Sequence, residues 1–258
     1  MKRLLLIAVT AMSLCSCSIL SGIAWNPEGL ASAAGKTITA ASISDEMVVE
    51  LCSQSIASLD AQAVIDNGKY ARRLGKVMEG VTEIDGKPLN MKVYVTDQIN
   101  AFASGDGSIR VYSGLMDVMD DAELAAIIGH ELGHVHNQDT KKSIRTAYLA
   151  SAARDVVASA GNYGALAAYL LGDVGEALVG AQYSQKCEYK ADEHGCDFAI
   201  SRGYSPYSMY NALEKLLSLS GDSSNSIIAH MFADHPKTEL RASKMKARAE
   251  KYLAKSSK

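Results

Sequence analysis

Residues 127–139, IIGHELGHVHNQD, place His130, Glu131 and His134 in H-E-x-x-H spacing inside an apolar run. A helix turns about 100° per residue, so His130 and His134 share a face about 6 Å apart along the axis. Both imidazoles can then reach one tetrahedral ion. Glu131, one residue on, stands beside that ion but not on it, where it can take a proton from water on the metal. Its neighbours Ile127, Ile128, Leu132 and Val135 are apolar, and two histidines and a carboxylate are costly to bury without partners. The chain must therefore fold so that further ligands meet this helix. Asp120 and Glu123 stand in capping-box spacing just before it. The helix is expected over about 121–137, with Leu124, Ile127, Ile128 and Leu132 as its buried face.

A catalytic zinc normally has three protein ligands and one open position. The third is expected from CEYKADEHGCDFA, residues 187–199. Glu188 and Asp192 are i and i+4 on an expected helix. One carboxylate can bind the ion while the other holds the far nitrogen of a ligand histidine, fixing its tautomer and orientation. Glu193 and His194 are rivals, facing about 100° and 200° round from Asp192.

Around these segments the chain reads as mainly helical, with a small sheet. Ser44 is a plausible N-cap for a helix to Asp60, with Met47, Leu51, Ile56 and Leu59 as a stripe. A second helix is expected over Lys69–Glu79. MKVYVTD alternates, as does IRVYSG, and SGDGS at 104–108 is turn chemistry. They read as a strand pair beside the H-E-x-x-H helix, either a plain hairpin or an edge offered to an extended peptide. Residues 144–183 are rich in Ala, Gly and Leu. Their longest uncharged run, Val156–Gly172, is marginal for a membrane span, so buried or membrane-touching helices are expected. Ser205-Pro206 opens a helix to about Ser218, and residues 237–254 form a basic, amphipathic last helix. The class is α+β, mainly helical, and 258 residues suffice for one sizeable core or two small ones.

The N-terminus reads as an export signal. Met1-Lys2-Arg3 precedes an apolar run, Leu4–Leu14, that is too short to span a bilayer comfortably. Leu14-Cys15-Ser16-Cys17 resembles a bacterial lipobox, which implies cleavage before Cys17 and acylation of that residue. The alternative is an ordinary secretory signal cut nearby. Ser18, not Asp, follows the cysteine, and in the enterobacterial sorting pattern that points to the outer membrane. The expected organisation is a signal over 1–16, an acylated N-terminus and flexible tether over 17–42, and one catalytic domain over 43–258. Of the remaining cysteines, Cys187 and Cys196 are about 13 Å apart along a helix, too far for a disulfide. Cys52 with either of them, or three free thiols, are both open. A net charge of −3 gives no reason to expect nucleic acid as a partner.

H-E-x-x-H followed more than fifty residues on by E-x-x-x-D is the gluzincin arrangement known from thermolysin. SGLMDVMDDAELAAIIGHELGHV, CEYKADEHGCDFA and DHPKTELR together resemble the three signature blocks of the HtpX-like zinc metallopeptidases. The likeness runs from about Ser44 to the C-terminus. It implies a gluzincin-type domain binding one zinc ion per chain through His130, His134 and Glu188. It further implies Glu131 as catalytic base and Asp192 as the acid behind a ligand. His235 matches a histidine near the metal that occupies the open position in some relatives, and Arg241 matches an arginine in the same block; either can assist the developing oxyanion. His136 and His230 match nothing. The implied activity is peptide-bond hydrolysis at the cell envelope, by an enzyme anchored through lipid to the outer membrane and facing the periplasm. Its substrates would be misfolded or stalled envelope polypeptides, and other envelope proteases or assembly factors are conceivable partners. The alternative is a zinc-binding envelope chaperone or assembly factor whose protease activity His235 holds latent.

Overall fold

The computed structural model describes residues 26–159, 185–220, 227–228, 231, 235 and 239–256. In chain order these form α1 (Pro27–Ser42), α2 (Asp45–Gln62), β1 (Ile65–Asp66), α3 (Lys69–Val77), β2 (Glu83–Ile84), β3 (Lys87–Pro88), β4 (Asn90–Tyr94), β5 (Ala101–Ala103), β6 (Ser108–Tyr112), α4 (Ser113–Val118), α5 (Asp121–His136), α6 (Asp139–Ala158), α7 (Gln185–Ser201), α8 (Ser208–Leu219) and α9 (Glu239–Ser256). The expected mainly helical α+β class is the one observed.

The chain divides into two compact units, residues 43–145 with 176–258, and residues 1–42 with 146–175. Among the described residues, 146–159 group with 26–42. Within the expected tether, Pro27–Ser42 is helical. Small residues allow it to pack, with Ala33 and Ala40 buried. Ser32 Oγ donates to Asp155 (2.6 Å), and Lys36 pairs with the same carboxylate (2.9 Å). The lipobox with Cys17, and residues 160–184 of the Ala-, Gly- and Leu-rich stretch, lie outside the described residues. Among the described residues no helix is long and apolar enough to cross a membrane.

In the larger unit the sheet runs β1-β4-β6-β5. The two alternating strands pair as expected, but in parallel, with Met91 opposite Ile109 and Val93 opposite Val111. The turn at 104–107 instead joins β6 to β5, a third strand that sequence reading missed. β5 is antiparallel to β6 and forms one edge. Its Ala101, Phe102 and Ala103 include two alanines, which carry little strand propensity. Val93, Ala101, Ile109 and Val111 are buried on the core face. The opposite face is met by α2. Asp60 accepts from Arg110 Nε and Nη2 (2.8 and 2.9 Å), Lys92 Nζ (2.7 Å) and the Tyr94 hydroxyl (2.6 Å).

This bond pattern corrects the stripe assigned to α2. Val48, Cys52 and Ile56 are buried, whereas Met47, Leu51 and Leu59 are exposed. The inward row runs 48, 52, 56, 60 and ends in a carboxylate, so the apolar pattern placed Ile56 correctly and the other three residues on the wrong side. The Ser44 N-cap is as expected, its hydroxyl accepting from Met47 N. Among the described residues, Cys52, Cys187 and Cys196 form no disulfide.

The site is positioned chiefly by α5 against α7. The Asp120–Glu123 capping box is complete, and Leu124, Ile127, Ile128 and Leu132 are buried as expected. The two helices approach closely because glycines face the contact. A Cβ on Gly133 would lie 2.9 Å from Ala191 Cα, and one on Gly195 would lie 2.5 Å from Ala126 O. Interaxial distance is set by such side chains, so the carboxylates of α7 come within reach of the histidines of α5.

Candidate metal centre

His130 and His134 lie side by side on α5, both buried, with their Nε2 atoms 3.0 Å apart. Glu188 on α7 brings Oε1 to 3.5 Å from His134 Nε2 and Oε2 to 3.7 Å from His130 Nε2. His235 adds its Nδ1, 3.3 Å from His130 Nε2 and 3.2 Å from Glu188 Oε1. One ligand atom from each of these four residues lies within 4.8 Å of every other. Two nitrogens each bound about 2.05 Å from a tetrahedral zinc stand about 3.3 Å apart, so the spacing fits a single tetrahedral ion.

The imidazoles are aimed from behind. His130 Nδ1 meets Asp192 Oδ1 at 2.9 Å, and His134 Nδ1 meets Asp139 Oδ2 at 3.0 Å. A carboxylate can only accept there, so each ring carries a proton on Nδ1 and turns Nε2, the atom that would bind a metal, into the cluster. Arg241, from α9, holds the acids of α7. Its Nη1 lies 2.7 Å from Glu188 Oε2, while Nε and Nη2 lie 2.8 and 2.6 Å from Asp192 Oδ2 and Oδ1. The sequence expectation gave Arg241 a share in stabilising an oxyanion. Its guanidinium is engaged with these two carboxylates.

Charge balance points the same way as the distances. Glu131, Asp139, Glu188 and Asp192 are four buried carboxylates around one buried guanidinium. A dication offsets much of that excess. Burial disfavours a charged His134, yet the Asp139 and Glu188 carboxylates outweigh it and its pKa is pushed up to about 9. The pocket thus favours positive charge where the ion would sit. Glu188 and Asp192 are held well below the usual carboxylate range. Burial opposes this, but His134 and His235 hydrogen bonds prevail for Glu188, and Arg241 and His130 for Asp192. His130, fully enclosed, is pushed down by burial despite Asp192. The donor set is one zinc site per chain.

Glu131 is 2% exposed and stands beside the donors. Its Oε2 accepts from Ala103 N on β5 (3.2 Å), and Oε1 lies 3.5 Å from His235 Nε2. Oε1 takes no hydrogen bond among the described residues. The rivals for third ligand lie elsewhere: His194 Nδ1 donates to Gly129 O (2.7 Å), and Glu193 is exposed beside Arg248. His136 is exposed and bonds Asp85, and His230 lies outside the described residues. Sequence reading missed Asp139, which closes the very stretch that carries the motif. A carboxylate five residues past the second histidine was the available signal.

Comparison with known proteins agrees with this geometry. The model of peptidase family M48 matches residues 66–249. Metalloprotease LoiP of Escherichia coli (strain K12) is 41% identical over 224 residues, covering 85% of this chain and 87% of the relative. Metalloprotease YcaL of the same strain is 36% identical over 252 residues, 96% of each. A protease HtpX homolog of Desulfatibacillum aliphaticivorans is 28% identical over 260 residues. With its three-histidine, one-glutamate zinc site, the chain belongs to peptidase family M48 and is a zinc metallopeptidase.

Proposed function

We propose that this chain is an endopeptidase of the bacterial cell envelope, anchored through lipid on Cys17 to the outer membrane and facing the periplasm, that hydrolyses misfolded or stalled envelope polypeptides with Glu131 as general base. The observation that carries the catalytic part is the free oxygen of Glu131, buried beside the donor cluster and not in it. Zinc, when bound, supplies a Lewis acid that polarises a carbonyl and acidifies water. Glu131 Oε1 takes the proton of the attacking water and passes it to the leaving nitrogen. His130, His134 and Glu188 hold the ion, and Asp192 holds His130. β5 lies at the sheet edge beside Glu131, so an extended substrate laid along it brings a peptide carbonyl to that carboxylate. The anchor and the envelope location rest on the lipobox and the export signal.

Glu131→Gln keeps the shape of the side chain and removes the base. Casein cleavage is expected to fall by about 10²–10⁴-fold; a wild-type rate contradicts the proposal.

A second reading has its own support. His235 Nδ1 fills the fourth donor position, where water has to enter, which fits an envelope chaperone or assembly factor with latent protease activity. His235→Ala separates the two: cleavage rises if His235 blocks the site and falls if it assists the reaction.

A further inference from the structure

Asp139 is 1% exposed, and no step above uses it. The chain reaches it by an uncommon turn. α5 ends at His136, and Asn137 Nδ2 donates back to Gly133 O (2.8 Å). Gln138 then takes φ +53°, a left-handed conformation that residues with a Cβ seldom adopt. The turn sends Asp139 back toward the helix the chain has just left, and α6 starts on it. Its Oδ2 lies 3.0 Å from His134 Nδ1. The Cys187 side chain bonds the same carboxylate from α7, one residue before the ligand Glu188. Lys142, a turn further along α6, approaches Oδ1 at 3.3 Å. One carboxylate thus ties α5, α6 and α7 together beside two of the four donors.

We infer that Asp139 is a positioning residue of the metal centre, holding His134 with its proton on Nδ1 and its Nε2 aimed into the donor cluster, and thereby setting the zinc affinity. The inference rests on the zinc site, and it extends to His134 the support that Asp192 gives His130. Carboxylates behind ligand histidines typically contribute 10–100-fold in metal affinity.

The test uses the full chain as wild type, Asp139→Ala and Asp85→Ala. Asp85 bonds the exposed His136 and serves as the control. Zinc affinity is measured by chelator competition, the Co²⁺-substituted absorption spectrum is recorded, and peptide cleavage at saturating zinc is resolved into kcat and KM. Asp139→Ala is expected to bind zinc 10–100-fold more weakly, to shift the Co²⁺ bands, and to lower kcat with KM unchanged. Asp85→Ala is expected to behave as wild type. An Asp139→Ala zinc affinity within about threefold of wild type overturns the inference, as does an unshifted Co²⁺ spectrum.

If Asp139→Ala does not fold, Asp139→Asn carries the test. Its amide oxygen still accepts from Nδ1 but lacks the charge, so an affinity loss of about 3–10-fold is expected, and no loss overturns the inference. Wild-type protein that binds zinc but cleaves nothing contradicts the protease reading and leaves this one standing. Wild-type protein that cleaves, beside an Asp139→Ala variant with unchanged zinc affinity, overturns this one alone.

Discussion

Each imidazole of the H-E-x-x-H pair has a carboxylate at its back, and Arg241 closes the circuit by holding Glu188 and Asp192 together. Buried charges of this kind are strongly destabilising when one partner is removed. Arg241→Ala strands two buried carboxylates and is expected to cost about 3–5 kcal/mol, read by denaturant unfolding of the zinc-free protein. Arg241→Lys is expected to rescue little, since a single ammonium cannot replace three guanidinium contacts. How much of this was legible in sequence follows from distance along the chain. His130, Glu131 and His134 share one helical turn, so their spacing alone places them. Glu188 and Asp192 follow from the same i, i+4 rule once α7 is assigned, but their choice over Glu193 and His194 is settled only by how α7 faces α5. Asp139 offered only its place five residues past His134 as a signal; that it turns back to the ring depends on the left-handed turn at Gln138, which spacing does not show.

At the level of elements, the site depends on how closely α5 and α7 pack. Gly133→Val places branched carbons against Ala191 and His194. It is expected to destabilise the protein by about 1–3 kcal/mol and to weaken zinc binding as well, checked by unfolding and chelator competition on one preparation. The sheet is locked to α2 through Asp60, whose carboxyl is held far below the usual range by its hydrogen bond to Arg110, against the opposing effect of burial, with Lys92 and Tyr94 adding to it. Asp60→Asn leaves the almost fully buried Arg110 unpaired and is expected to cost about 3 kcal/mol at neutral pH. For a depressed carboxyl the linked stability is fully present above the unfolded value of 3.8 and is lost as pH falls below it toward the folded value. The stability gap between wild type and Asp60→Asn should therefore be constant above about pH 5 and narrow below pH 4. A gap that does not narrow rules out the ion pair as its cause. Sequence patterns missed this lock for a physical reason: the inward row of α2 ends in a charge, and apolar periodicity cannot see a buried ion pair. They missed β5 because alanines have no strand signature, and the parallel β4–β6 pairing because alternation gives the face of a strand but not its direction.

Across the whole molecule, four donors from α5, α7 and the chain at His235 converge on one point of the larger unit. A ligand bound only by the folded state stabilises it by about 2.7 kcal/mol at 100 times its Kd, so stripping zinc is expected to lower the Tm of the wild type. The most direct test of the zinc site as the seat of hydrolysis is a zinc titration into chelator-stripped wild type and Glu188→Gln, with bound zinc and casein cleavage measured on the same samples. In the wild type, cleavage should rise in proportion to bound zinc and level off at one ion per chain, while Glu188→Gln binds zinc more weakly and cleaves little. Cleavage by the stripped wild type, or a Glu188→Gln variant that binds zinc and cleaves as wild type does, would contradict it.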